Sequence, residues 1–431
     1  MKLFEIKKTP KWLLCESATE KAAHLEHIED LIFNEGYLGA QKALNYIESI
    51  RSMLVQGSGK SSNITIKWDG APSITCGIDP SDGKFFVGTK SVFAQGEPKI
   101  CKTKRDIKKW YSERPGLADK LELCLKYLPG LGISGVIKGD LMFTASDLVN
   151  NTIDGENYLT FTPNTITYAV KADSALAKKM ASAKLGIIFH TYYEGPDILH
   201  MNARFGFSVA GLNQSKNVWF DDAFYHDYTG IASLTPEENS NLQRGLGQAA
   251  ITLRKITPHN FNKVLKTSAT ADKDSANTEF SKFVKPFINS LVNAGQPLAD
   301  PTKFLKQFVS YYKGEQEKAI AQLKGGPDSK AAQARLSKIK EKEEFIADHS
   351  NTLLGVLAIY KKVIELKLII IKKLTQIESY ANTFIKTDTG YQVTRPEGFV
   401  AVGHDGGAVK LVDRLEFSHA NANAVKNWKN T

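Results

Sequence analysis

The chain has 431 residues, with 56 Lys and Arg against 46 Asp and Glu, a formal net charge of +10. An apolar content of 42% and a charged content of 24% describe an ordinary globular sequence with room for two or three domains, and exclude collagen-like, mucin-like and wholly disordered classes. The most apolar stretch, 353–374, is broken by Lys361, Lys362, Glu365, Lys367, Lys372 and Lys373, so it offers no run of about 20 apolar residues to a bilayer.

The opening residues MKLFEIKKTPKWLL lack the apolar centre and cleavage site of a signal peptide. The expectation is a cytoplasmic protein (host cytoplasm if the chain is of phage origin) with no membrane partner. Cys15, Cys76, Cys101 and Cys124 fit no zinc spacing and read as reduced thiols, mostly in the core.

In chain order, helical periodicity predicts one helix from about residue 17 to 33 and a second over about 39–54, ended by Gly57-Ser58-Gly59. From about 62 the texture is mixed. NITIKWDG alternates as a strand, and GKFFVGTKSVF follows a turn as a hairpin partner. Helices near 105–127 precede a strand GVIKGDLMFT, and further strands are predicted at 165–170 and 186–193. Between 231 and 385 strand signals vanish. This helical stretch holds 23 Lys and Arg against 15 Asp and Glu, a local excess of eight charges. Strand texture returns in TGYQVTRPEGFVAVGHDGGAVKLVDRLEF. The expected organisation is an N-terminal helical segment (1–57), the first part of an α/β unit (58–230), a basic helical insertion (231–385) and the last strands of that unit (386–431).

The most informative residues are Lys67-Trp68-Asp69-Gly70: a lysine leaving a strand, then an acid and a glycine turn. In order after them come Gly139-Asp140-Leu141-Met142-Phe143, the strand Ile187-Ile188-Phe189-His190-Thr191-Tyr192, Pro396-Glu397-Gly398-Phe399-Val400 and Val409-Lys410-Leu411. A lysine acts as a covalent nucleophile only as the neutral amine, and with an ordinary pKa of about 10.4 it needs cations, a metal or desolvation nearby.

This ordered set resembles the motifs of the covalent nucleotidyltransferases, the superfamily of DNA ligases, RNA ligases and mRNA capping enzymes. The chain also resembles proteins of T4-like tailed phages. The resemblance implies an α+β fold: a ligase-type domain of antiparallel sheets flanked by helices, carrying the N-terminal helical segment and a large all-α insertion. It implies ATP with Mg²⁺ or Mn²⁺ as cofactors and a lysyl-AMP formed at Lys67. Lys410 would hold the α-phosphate, Glu397 would bind the metal, and Asp69, Gly70, Lys90, Asp140 and Phe189 would line the nucleotide site, Phe189 as a stacking face for adenine and Asp140 for the ribose. Two departures stand out: Asp140 replaces the usual glutamate, and Val412 stands where a second lysine is usual.

Only 21 residues follow Lys410, too few for the OB-fold that DNA ligases and capping enzymes append there. The layout therefore resembles phage RNA ligases most, and the expected activity is sealing of 5′-phosphate to 3′-hydroxyl ends. An adenylyltransferase acting on protein or a small molecule is one alternative, and a non-catalytic nucleic-acid-binding or virion-associated protein another. The basic insertion suits a nucleic acid, RNA more than DNA, through Lys338, Lys340, Lys342, Lys361, Lys362, Lys372 and Lys373, or a protein partner. Minor candidates are His24 and His27 at helical spacing with Glu26 or Glu29, His190, His404, and Gly57-Ser58-Gly59-Lys60-Ser61-Ser62, which mimics the end of a phosphate loop without its first glycine.

Overall fold

The computed structural model describes residues 25–56, 64–164, 166–224, 233–265, 280–375, 382–387, 390–393, 398–402 and 408–418. The architecture is mixed α+β, with mainly antiparallel sheets and many helices. The described residues open with β1 (Glu26–His27), a single turn (Ile28–Asp30) and α1 (Leu31–Gln56). The expected first helix is corrected at 26–27, where the backbone is extended and pairs with residues 409–410. A long-range ladder here overrides local periodicity. Gly36, at φ 63°, puts a kink inside α1.

Then follow β2 (Ile64–Lys67), β3 (Ser73–Ile78), β4 (Phe85–Gly88), α2 (Lys104–Tyr111), α3 (Pro115–Tyr127), β5 (Val136–Thr144), β6 (Val149–Ile153), β7 (Glu156–Phe161), β8 (Ile166–Lys171), α4 (Ala175–Ser182), β9 (Leu185–Glu194), β10 (Asn202–Phe205) and β11 (Val218–Asp222). The helical stretch comprises α5 (Pro236–Lys255), α6 (Pro258–Leu265), α7 (Phe280–Asn293), α8 (Pro301–Ala321), α9 (Lys330–Asp348) and α10 (Ser350–Leu374). Last come β12 (Asn382–Thr387), β13 (Gly390–Val393), β14 (Gly398–Val402) and β15 (Ala408–Leu411). Helix starts follow local chemistry: before α5, Thr235 accepts from Glu238 N, the Glu238 carboxylate accepts from Thr235 N, and Pro236 takes the first turn.

Sheet A has the order β1-β15-β14-β2. Sheet B runs β10-β9-β5-β3-β4, with β11 parallel on β9. Sheet C runs β13-β12-β8-β7-β6. Strands from both sides of the helical stretch thus pair with each other, β12 with β8 and β14 with β2. The hairpin partner of β4 is β3 and not β2, which pairs with β14 instead.

One continuous core joins α1 to the later helices and to one face of sheet A, through residues such as Ile47, Leu253, Phe308, Val363, Phe399 and Leu411. The N-terminal helix and the helices of 231–385 therefore share a single interior. A second core lies between α2, α3 and one face of sheet B, where Cys76, Cys101 and Cys124 are free and buried. No helix among the described residues is long and apolar enough to cross a membrane.

Candidate functional site

Alternation along a strand sends successive side chains to opposite faces. In sheet A, Ile64, Phe399, Ala401, Val409 and Leu411 enter the helical core. The opposite face carries a row in register: His27 beside Lys410, Lys410 beside Val400, Val400 beside Thr65. Lys67, two residues after Thr65, lies on this same face at the end of β2, directly across from Gly398. Gly398 has φ 151°, and a Cβ there would come within 2.5 Å of the Leu411 carbonyl oxygen and 2.8 Å of Val412 Cγ2. A glycine is required where β14 starts against the last strand.

From Lys67 the chain crosses to sheet B in five residues. Trp68 is buried against Tyr168, with ring centroids 5.2 Å apart. Asp69 is buried too. Its carboxylate accepts from Asn164 Nδ2 at 2.7 Å and from Ile166 N at 2.9 Å, while its own N–H donates to the Tyr168 hydroxyl at 2.7 Å. Asp69, expected at the nucleotide site, thus helps to hold the turn before β8. Gly70 passes over β5 so closely that a Cβ would lie 2.6 Å from Asp140 Cβ and 2.9 Å from Met142 Sδ. Ala71 N–H donates to the Leu141 carbonyl, and Leu141 N–H to that of Pro72, fastening this crossing to the strand of Asp140.

In sheet B, Ile137 and Leu141 enter the core under α2 and α3, so Lys138 and Asp140 occupy the opposite face. Ser73 and Thr75 are their register partners on β3. The β5–β9 ladder shifts between Lys138 and Gly139: Thr191 pairs with Lys138, Phe189 with Gly139, and His190 is the extra residue. Such a bulge re-aims a side chain. His190 Nε2 comes to 3.6 Å from Asp140 Oδ2, and its Nδ1 is 2.6 Å from the Thr191 hydroxyl.

The electrostatics join the two sheets. Burial pushes the Asp140 carboxyl up, but His190, then Lys138 and Lys67, outweigh it and hold Asp140 below the usual carboxylate range. Burial, reinforced by Lys90 and opposed by Asp140, pulls the Lys138 ammonium below its ordinary value. Lys67 also acts on His27, together with Lys410. One lysine at the end of β2 therefore belongs to the polar faces of both sheets. Such an arrangement offers cations and one ionised carboxylate to a phosphorylated, hydroxyl-bearing ligand.

The structure thus brings Gly70 and the Lys67 turn up to Asp140, with Lys410 on the same face of sheet A as Lys67 and Lys90 acting on Lys138. Lys90 is exposed in a single turn (Lys90–Phe93) after β4, where a strand was expected. Phe189 is corrected. It is fully buried on the other face of sheet B, edge-on to Phe207 and beneath Gly139, and presents no surface for a base to stack on. Glu397, His24, His404 and the 57–62 phosphate-loop mimic lie outside the described residues. Lys138 was missed by motif matching. The available signal was its place two residues before Asp140, on the same side of one strand.

In the helices, Lys338, Lys340 and Lys372 are exposed, and Lys361 and Lys362 half-buried, Lys362 with Glu365 as its ion partner. Two expected nucleic-acid lysines are corrected. Lys342 is 2% exposed and lies over the rings of Phe283, Tyr312 and Phe345 at 5.3, 5.7 and 5.8 Å. Lys373 is buried and paired with Glu238 at 3.0 Å. Both face inward because the helix packing closes over them. Among the described residues no group of three or more His, Cys, Asp and Glu is arranged to hold a metal ion.

Comparison with curated proteins and with solved structures returns no match. One family model, described as "Family of unknown function (DUF6267)", matches residues 22–426, and the chain belongs to that family.

Proposed function

We propose that this chain is an ATP-dependent nucleotidyltransferase of the ligase type that forms a covalent lysyl-AMP at Lys67 and seals 5′-phosphate to 3′-hydroxyl ends of RNA. The observation that carries this reading is the convergence at Lys67. Residues from four motifs spread over more than 340 positions meet there: the Lys67–Gly70 turn, Asp140, Gly398 across the ladder, and Lys410 on the same face of sheet A. The close pass of Gly70 over Asp140, which a side chain would block, supports a shared site and not a chance set of tetrapeptides.

In the proposed step the Lys67 amine attacks the α-phosphorus of ATP. A nitrogen–phosphorus bond forms, the α–β phosphoanhydride bond breaks, pyrophosphate leaves and the amine loses a proton. Lys410 and Lys138 offer charge to the phosphates, and Asp140 accepts from ribose hydroxyls. Mg²⁺ or Mn²⁺ would neutralise phosphate charge, with Glu397 as the carboxylate that the motif assigns to it. AMP then passes to a 5′-phosphate, and a 3′-hydroxyl displaces it.

The test is incubation with α-labelled ATP and either metal, followed by denaturing electrophoresis. Wild type takes label and Lys67→Ala does not; an unlabelled wild type with both metals overturns the reading. Transfer of label to 5′-phosphorylated RNA supports ligation, and transfer only to protein supports an adenylyltransferase instead. A specific observation favours a non-catalytic nucleic-acid-binding protein as the second reading: Val412, where a lysine is usual, is buried in the apolar cluster of Trp68. Binding of RNA without any label selects it.

A further inference from the structure

Outside the cleft, residues 99–111 hold six Lys and Arg against one acid, Asp106. That acid is committed: its carboxylate accepts from the backbone N–H groups of Lys102 and Thr103 and caps α2. Lys102 is taken up by Asp79 and Asp82, and Lys104 by Glu122. Arg105, Lys108 and Lys109 then share one exposed face of α2 at i, i+3 and i+4, the spacing at which like charges repel.

Trp110 stands beside this face. It is half-buried, packed on the core between α2, α3 and sheet B. Lys109 Nζ lies 3.8 Å and Lys99 Nζ 5.7 Å from the centre of its ring. The Lys109 side chain is 60% exposed and its ion partner Glu97 69%, so the pair moves aside at little cost. Lys99 ties the patch to the cleft. Its N–H donates to the Ser91 carbonyl in the single turn of Lys90, the lysine that acts on Lys138. β4, which leads into that turn, is the last strand of sheet B, so the way from the face of Asp140 to α2 runs around one end of the sheet.

We propose that the surface of Lys99, Arg105, Lys108, Lys109 and Trp110 holds single-stranded RNA, with a base stacked on Trp110 and the phosphates met by the cations. Charge complementarity points to a polyanion. The indole set among the cations points to one with unpaired bases, since every base offers a face to an aromatic ring and a duplex hides it. The proposal rests on the ligation reading only for the identity of the strand: RNA whose end reaches the cleft continues past Lys90 and around the end of sheet B onto α2.

Titration of the full chain with a short dye-labelled oligouridylate tests it, read by dye anisotropy and by tryptophan emission, with polyglutamate as a polyanion without bases. RNA is expected to quench tryptophan emission in the wild type. Trp110→Phe keeps a ring and binds RNA nearly as tightly but loses that quench, and Trp110→Ala binds about tenfold more weakly. Replacing Arg105, Lys108 and Lys109 by Ala lowers the slope of log affinity against log salt by about two. Unchanged RNA affinity in Trp110→Ala or an unchanged slope in the triple variant overturns the proposal, as does polyglutamate bound as tightly as RNA, which marks plain charge. RNA binding that depends on Trp110, in a wild type that takes no label at Lys67, keeps this surface and rejects the lysyl-AMP reading. Label at Lys67 with RNA binding unmoved by these variants does the reverse.

Discussion

Lys367 of α10 donates to Glu29 at 2.7 Å, and neither side chain is more than 1% exposed. Arg414 reaches the same group, 3.3 Å from Asp30 and 4.0 Å from Glu29, and the Tyr360 hydroxyl donates to Asp30. Three distant segments are thus bolted together directly behind His27 and the strand of Lys410. Breaking one partner of a buried pair leaves the other charge uncompensated, at a cost of about 3–5 kcal/mol. Glu29→Gln is expected to lose that much in urea denaturation, and the double variant Glu29→Leu with Lys367→Met less. A single-variant loss under about 1 kcal/mol would contradict the buried pair as a structural tie.

The same cluster makes stability depend on pH in two opposed ways. Burial first, then Glu29, raises Asp30 to about 6 against the pull of Arg414. A carboxyl raised on folding contributes stability below its unfolded pKa, and this is lost as pH rises from about 4 through about 6. His27 is lowered, so its contribution is present above the unfolded value of 6.5 and is lost as pH falls towards about 2. Denaturation curves from pH 4 to pH 7 should show Asp30→Asn removing the alkaline loss and His27→Gln removing the acid loss. Parallel curves for all three proteins would reject both assignments.

Burial raises the Asp140 carboxyl, and His190 is the largest of the influences that nevertheless hold it below the usual carboxylate range. Replacing His190 by Gln should let the carboxyl titrate at higher pH, so the acid limb of lysyl-AMP formation moves upward while the plateau changes little. A plateau loss without a shifted limb would mean that His190 serves packing and not the charge of Asp140.

Gly70→Ala places a methyl group 2.6 Å from Asp140 Cβ and 2.9 Å from Met142 Sδ. Overpacking of this kind costs about 1–3 kcal/mol. Because it pushes the lysine turn off β5, labelling should fall by more than thermal stability does. Gly96→Ala, with nothing within 4 Å of the added Cβ, is the control and should leave both unchanged.

For nucleic acid, exposure separates the lysines. Charge reversal of Lys338, Lys340 and Lys372 should weaken RNA binding and flatten its dependence on salt, since every lysine that no longer meets a phosphate lowers that slope by about one. Lys342→Met should leave the slope intact and lower stability instead, because this side chain lies among three rings. An unaltered slope in the triple variant would remove these helices as the nucleic-acid surface.

Local chemistry made much of this molecule legible from sequence. Strand texture marked β2, β5 and β9, and the spaced motifs marked Lys67, Gly70, Asp140 and Lys410 before any fold was known. Long-range pairing decided the rest. His27 reads as helical by periodicity, yet it is a strand residue because residues 409–410 offer it a ladder. Phe189 and Asp69 carry the right residue types, yet a bulge and the turn before β8 turn them into core and anchor. Lys342 and Lys373 count as charge in any sequence sum, and only helix packing removes them from the surface. Sequence by itself determined which residues have the chemistry; the fold decided which face each one occupies, because a side chain's face is set by register with partners hundreds of positions away.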